Sequence, residues 1–224
     1  MAEIVRRRDW AHRPTARPPH RITVRQNELW LHHGAAGRSD LASARAYLDF
    51  HIGTRKYRDV AYSWLIAGGR ILEGRGPGVA GGHTRTRNTV SYGICMVGSY
   101  SVVPPSDRDI EALVALLRHG VAVGWWDAPT LTGGHRDAPG AATTCPGDAL
   151  HQLIPDINRL AQEDDLTPEQ DRMLRAVYRE LCEGGDDSTP GIGSRTIRDR
   201  TWQSNAALGR MERQHGPGLD KLAT

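Results

Sequence analysis

The alternation of apolar and polar positions predicts an α/β domain that ends near residue 162. Short apolar runs typical of buried strands alternate with segments that carry apolar side chains every three or four residues, as amphipathic helices do. The predicted strands are 28–33, 60–67, a short strand after Gly68-Gly69, 90–98 and 130–134. One predicted helix is capped by Ser39 and runs to about Ile52, a second follows the Ser106 capping box, and a third begins at Pro146, which places Cys145 at a helix N-terminus.

Composition and pattern divide the chain into three parts. Residues 1–25 are a basic N-terminal arm, residues 26–162 are the α/β domain and residues 163–224 are a helical C-terminal tail with a Gly-rich linker near 184–195. The capped helix of the tail carries an apolar seam, so we expect it to pack on the domain or to pair with a second copy of the chain.

The composition is that of an ordinary globular protein, with 38% hydrophobic and 25% charged residues. No apolar run approaches the roughly 20 residues that span a bilayer, so no membrane insertion is expected. The N-terminus lacks the apolar stretch of a signal peptide, and we expect a cytoplasmic chain. Three cysteines without regular spacing do not indicate a disulfide-built fold.

The net charge of +3 is unevenly distributed, because residues 1–25 hold seven arginines against two acidic residues. Such a segment is either solvated or a contact for a polyanion. Solvation is the simpler interpretation, and nucleic acid is not an expected partner.

Three side chains have the chemistry of a zinc site. These are His32 at the end of the first predicted strand, His135 in GGHRDAPG and Cys145 in TTCPG. Zinc binds imidazole nitrogen and thiolate sulfur, and catalytic sites use three protein ligands. A thiol at a helix N-terminus would favour the thiolate. A single histidine at a strand end is more often structural, so only the three residues together indicate a zinc site.

Four separated motifs carry a resemblance to a known family over roughly residues 26–160. They are LHHGAAG, VAYSWLI, GGHTRTRNTVSYGICMVGSY and GGHRDAPGAATTCPG, in this order. The chain resembles the zinc N-acetylmuramoyl-L-alanine amidases of type 2, which include amidase-type phage lysozymes and peptidoglycan recognition proteins. The resemblance implies a mixed central β-sheet flanked by α-helices, a zinc-containing surface groove and bacterial peptidoglycan as the partner.

The resemblance also implies roles for individual residues. It makes His32, His135 and Cys145 the ligands of Zn²⁺, and Tyr62 and Thr143 the catalytic residues. The implied reaction is hydrolysis of the amide between N-acetylmuramic acid and L-alanine by a zinc-activated water. Tyr62 is expected on the second predicted strand, with its hydroxyl on the water or the developing oxyanion.

Further positions of the family pattern are expected around these residues. His83, Asn88 and Arg136 match substrate-binding positions, although a structural salt bridge is an equal interpretation for Arg136. His33 takes a variable position and is interpreted as structural. Cys95 replaces the Glu of cytoplasmic muropeptide-recycling members, as in the phage and recognition branches, and is expected to be a buried hydrophobe.

Three functions stay open at this point. The first is a phage endolysin that waits in the host cytoplasm until a holin opens the membrane and then degrades the wall. The second is a recognition protein that binds peptidoglycan without cleaving it. The third is a thiol peptidase that uses Cys145 with His135, and it leaves His32 and Tyr62 without roles.

Overall fold

The structure is a computed structural model that describes residues 2–22 and 26–163. Its strands are β1 (Ile4–Val5), β2 (Glu28–His33), β3 (Trp64–Ala67), β4 (Arg70–Glu73), β5 (Ser91–Met96) and β6 (Gly133–Gly134). Its α-helices are α1 (Arg7–Trp10), α2 (Leu41–Asp49), α3 (Asp107–Ala122), α4 (Asp148–His151) and α5 (Ile154–Gln162). A π-helical turn, Phe50–Thr54, extends α2, and a 3₁₀ turn, His135–Asp137, follows β6.

The six strands form one mixed sheet in the order β1-β4-β3-β5-β2-β6, which confirms the predicted mixed sheet flanked by helices. β2, β3 and β5 are neighbouring parallel strands, and β3 and β4 form an antiparallel hairpin. Gly68 and Gly69 make its turn with φ angles of 59° and 74°, a left-handed conformation that favours glycine.

Each face of the sheet buries its own apolar cluster. One face packs Leu29, Leu31 and Ile94 against α3 and α5. The other face packs Leu65, Cys95 and Leu72 against α2 and the N-terminal segment. Because side chains alternate along a strand, His32 lies on the second face, beside Cys95 in the register of β2 and β5. The second face therefore carries the candidate site.

The N-terminal segment is part of this second cluster, so its interpretation as a solvated arm is wrong for the residues that pack on the sheet. β1 pairs in parallel with β4, and Trp10 is only 1% exposed. The indole Nε1 of Trp10 donates to the carbonyl of Glu73 at 2.7 Å. Arg7 binds Asp59 through two hydrogen bonds of 2.7 and 2.8 Å. Burial of the large Trp10 side chain therefore holds this segment on the sheet, although its basic composition is typical of a solvated segment.

Several predicted boundaries differ from the observed ones. The strand predicted over 60–67 begins only at Trp64, so Tyr62 precedes it. The helix predicted from Ser39 begins at Leu41, because Asp40 caps it by accepting from the Ser43 amide. Pro146 does not begin a helix, since the first helical residue after it is Asp148.

Two further expectations concern the C-terminal tail and insertion into a membrane. The tail, its linker and its proposed pairing lie outside the described residues. Within residues 2–22 and 26–163, none of the helices has the length and apolar character needed to cross a membrane.

Candidate metal centre

Strand pairing brings the two candidate histidine ligands together. β2 and β6 run in parallel with Leu31 opposite Gly134, and the next residues along the two strands are His32 and His135. A backbone hydrogen bond holds the third candidate ligand, Cys145, beside them: the amide of Arg136 donates to the carbonyl of Cys145 at 2.9 Å.

The three ligand atoms form a compact group. The imidazole nitrogens of His32 and His135 and the sulfur of Cys145 all lie within 4.8 Å of one another. Cys145 Sγ is 3.7 Å from His32 Nδ1, and the two imidazole centroids are 4.6 Å apart. Tetrahedral zinc with Zn–N near 2.1 Å and Zn–S near 2.3 Å separates its N and S ligands by about 3.6 Å. The donor set and its spacing therefore fit zinc.

Burial makes this a site for neutral imidazoles. His32 is 1% exposed, and burial lowers its pKa well below 6.5, with His83 and His135 acting in the same direction. His135 is half-buried, and burial also lowers its pKa. Neutral imidazole is the form that ligates a metal.

Cys145 is half-buried and its environment differs from the predicted one. It does not lie at a helix N-terminus, since α4 begins three residues later with only four residues. Burial raises the pKa of the Cys145 thiol to about 11, although the backbone of His33 and the charge of Arg136 act in the opposite direction. The predicted helix-dipole stabilisation of its thiolate is therefore wrong for the protein without metal.

Tyr62 and Thr143 lie next to the ligands. The Tyr62 ring is half-buried, and its centroid is 5.3 Å from that of His32. Burial raises the pKa of Tyr62 well above 10, and the thiols of Cys95 and Cys145 act in the same direction. Thr143 is exposed, and its hydroxyl oxygen accepts from the amide of Cys145 at 3.1 Å. Accepting this bond leaves the hydroxyl proton of Thr143 available to donate.

His51 is a neighbour of the site that the sequence did not single out. It lies in the π-helical turn, stacks on Tyr57 with centroids 5.6 Å apart and meets the Tyr62 ring edge-on at 5.7 Å. Burial lowers its pKa to about 4, with Arg75 and Arg55 acting in the same direction. Helical periodicity identified its segment, but only the tertiary fold brings it to Tyr62.

His83 contacts the candidate ligand His32, and Asn88 binds the backbone of the loop that carries His83. His83 is 8% exposed, and its Nδ1 is 3.1 Å from His32 Nε2. Burial lowers the pKa of His83 to about 3. The side-chain oxygen of Asn88 accepts from the amides of His83 and Thr84 at 2.8 and 3.1 Å. Both residues therefore have protein partners, and substrate contact by either stays a prediction.

The remaining residues of the pattern also have protein partners. Arg136 forms the salt bridge considered above with Asp148 at 2.7 Å, and it also donates to the carbonyl of Thr144. Substrate contact by Arg136 stays a prediction. His33 points to the opposite face, where its Nδ1 accepts from the amide of Tyr100 at 3.2 Å. Cys95 is fully buried, as expected.

Fold and site together define a class of protein: a mixed α/β sheet that presents a His-His-Cys centre beside a tyrosine. The family model described as N-acetylmuramoyl-L-alanine amidase matches residues 23–148. The chain belongs to this family of peptidoglycan amidases and recognition proteins.

Relatives come from both branches of the family. The chain is similar to the pig N-acetylmuramoyl-L-alanine amidase, with 30% identity over 65% of this chain and 25% of the relative. It is also similar to rat peptidoglycan recognition protein 1, with 40% identity over 43% of this chain and 52% of the relative. The chain thus spans a quarter to about half the length of these relatives.

Solved structures support the fold. Wild-type Drosophila PGRP-LB is 30% identical, with a TM-score of 0.64, and the match covers 69% of this chain and 93% of that chain. Peptidoglycan recognition protein LE, solved with tracheal cytotoxin, a monomeric diaminopimelic acid-type peptidoglycan, is 27% identical with a TM-score of 0.63. This match covers 68% of our chain and 92% of the chain of recognition protein LE.

Proposed function

We propose that this protein is a zinc-dependent N-acetylmuramoyl-L-alanine amidase that acts on bacterial peptidoglycan. The observation that carries the proposal is the convergence of His32, His135 and Cys145 within 4.8 Å, next to Tyr62, in a chain of the amidase family. A zinc ion held there would acidify a water molecule and polarise the scissile carbonyl.

The residues around the ligands have complementary tasks in this proposal. The phenol of Tyr62 donates a hydrogen bond to the oxygen that develops negative charge in the transition state. Thr143 donates its remaining proton from the exposed side of the site. A neutral hydroxyl supplies less charge stabilisation than a cation, so Tyr62 has the larger share.

The bond that is cleaved provides the direct test. Amide hydrolysis at the muramoyl group exposes the amino group of L-alanine and leaves reducing sugar unchanged, whereas a glycosidase produces reducing sugar. We expect end-group analysis of digested walls to detect new N-terminal alanine without added reducing sugar. Reducing sugar alone would overturn the amidase proposal, and other new N-termini would indicate the thiol peptidase.

Ligand variants separate the mechanisms. Cys145→Ala should abolish both zinc retention and N-terminal alanine release, because three protein ligands are the minimum for this type of site. Cys95→Ala, which changes the other described thiol, is the matched control and should keep zinc. A Cys145→Ala protein with full activity would contradict both the zinc and the thiol mechanisms.

Non-catalytic recognition is the second candidate, because recognition proteins are among the relatives. Such a protein would sediment with walls and release no fragments. The presence of all three ligand residues in one group favours the enzyme.

We further propose the role of a phage endolysin, held in the host cytoplasm until a holin releases it. This is supported by the resemblance of the Cys95 position to the phage and recognition branches rather than to the recycling branch. Co-expression with and without a holin, followed by culture turbidity, tests it. Lysis that does not depend on the holin, or no lysis with it, would contradict this role.

A further inference from the structure

We infer that His83 and Thr84 are positioning residues that hold His32 in the tautomer able to bind a metal. The inference rests on the proposed function for the metal, and it assigns His83 a task other than substrate contact. It concerns the side of His32 that faces away from Cys145.

Three polar atoms meet on that side of the ring. His32 Nε2 is 3.1 Å from His83 Nδ1 and 3.4 Å from Thr84 Oγ1. His83 Nδ1 and Thr84 Oγ1 are themselves 3.0 Å apart. All three residues are buried, with His32 and Thr84 only 1% exposed. The far nitrogen of His32 therefore has these two protein partners in a place screened from solvent.

The geometry determines where the imidazole proton must be. His32 Nδ1 is the nitrogen near Cys145 Sγ, at 3.7 Å, so it is the metal-facing atom and needs its lone pair. The single proton of a neutral His32 must then lie on Nε2 and requires an acceptor. If Nε2 bore no proton, Nδ1 would carry it toward the metal position and ligation would be blocked.

Two hydrogen-bond arrangements satisfy this requirement, and both place the His32 proton on Nε2. In the first, Nε2–H is shared between His83 Nδ1 at 3.1 Å and Thr84 Oγ1 at 3.4 Å. In the second, Nε2–H donates to Thr84 Oγ1, and the Thr84 hydroxyl donates to His83 Nδ1. Both leave His83 Nδ1 without a proton, so the pair acts as an acceptor in either case, and a neutral His83 then carries its own proton on the buried Nε2.

The loop that carries the pair is built to keep it in place. One side-chain oxygen of Asn88 accepts from the amides of both His83 and Thr84. A Cβ on Gly93 or Gly81 would lie 2.4 or 2.3 Å from the His83 ring, so the ring lies directly on both glycines. This close packing allows the ring little freedom to turn away from His32.

Zinc affinity of the purified full chain tests the inference, measured by competition with a chromophoric chelator. Loss of an outer partner of a metal-bound histidine typically weakens metal binding 10- to 100-fold. We expect an increase in zinc Kd of roughly that size for Thr84→Val, which removes the hydroxyl at nearly constant shape. Thr84→Ser keeps a hydroxyl and should stay within about threefold of wild type.

A second pair of variants examines His83. His83→Leu removes the acceptor and should weaken zinc binding on the same 10- to 100-fold scale. His83→Asn offers its side-chain oxygen near the position of Nδ1 and should recover part of the affinity. The matched control is Thr89→Val, an exposed threonine in the same loop, which should bind zinc as wild type does.

The outcomes separate this inference from the proposed function. A wild-type chain that does not retain zinc would overturn the proposed function and the inference together. Tight zinc binding by wild type, Thr84→Val and His83→Leu alike would overturn the inference alone. If His83→Leu fails to fold, the comparison of Thr84→Val with Thr84→Ser decides, because a purely structural role would not make zinc affinity follow the hydroxyl.

Discussion

Gly93→Ala should weaken the metal centre without changing any residue that touches the metal. A Cβ at this position would lie 2.4, 2.7 and 2.8 Å from Cγ, Cδ2 and Nδ1 of His83. Non-bonded heavy atoms prefer about 3.5–4.0 Å, so the ring must move by about 1 Å. The strand cannot yield instead, because Gly93 is paired with Trp30 of β2 and its carbonyl accepts from the amide of Ser63.

Two effects of measurable size follow from this displacement. Overpacking of a filled core typically costs about 1–3 kcal/mol of unfolding free energy. A ring that moves by about 1 Å also loses the 3.1 Å contact between His83 Nδ1 and His32 Nε2. Zinc affinity should then fall roughly 10-fold or more, as for the loss of an outer hydrogen-bonding partner.

Urea unfolding of the metal-free protein and chelator competition measure the two effects separately. Gly53→Ala is the matched control, since its Cβ would meet only the end of the flexible Arg13 side chain at 3.4 Å. It should leave both stability and zinc affinity close to wild type. If Gly93→Ala also left both unchanged, the close packing of His83 on β5 and the reasoning built on it would be refuted.

Three other perturbations test separate parts of the molecule. Tyr62→Phe should keep zinc and fold but lose on the order of 10²-fold in wall hydrolysis, the scale of one oxyanion donor; an unchanged rate would make Tyr62 structural. Trp10→Ala should lower the unfolding free energy by about 3–5 kcal/mol, whereas the exposed Arg8→Ala should change it by less than about 0.5 kcal/mol; equal urea midpoints would contradict the packed N-terminal segment. Because burial lowers the pKa of His51 from 6.5 to about 4, the unfolded chain binds the proton first, and stability should fall as pH decreases through that range. His51→Gln should reduce this pH-dependent loss in urea titrations, and identical profiles would refute the assignment.

The central strands were predictable because both faces of the sheet are covered. A strand buried on two sides has a continuous apolar sequence, and ELWLHH and SYGICM have that character. The capping box at Ser106 likewise predicts α3, because both of its polar groups are local in sequence. The nearness of His32 and His135 then follows from the parallel pairing of β2 with β6.

Local rules failed where a distant contact decides the conformation. The basic N-terminal segment has the composition of a solvated arm, yet Trp10 packs in one apolar cluster with residues of α2 and the sheet and donates to the carbonyl of Glu73, 63 residues away. Pro146 is a common first helical residue, but Gly147 adopts a φ of 88°, against Tyr100. The helix therefore starts only after Gly147, and Cys145 loses the predicted dipole.

The ligand motifs alone are therefore an incomplete predictor of metal binding in this chain. His32 and His83 are 51 residues apart, and no periodicity relates them. Their contact depends on the space that Gly81 and Gly93 leave for the His83 ring and on the amide bonds to Asn88. A chain that kept His32, His135 and Cys145 but changed this loop would retain every ligand atom and lose the acceptors of the His32 Nε2 proton. If the inferred positioning role holds, the loop from Gly81 to Asn88 should be compared alongside the ligands when a member of the family is judged able to bind zinc.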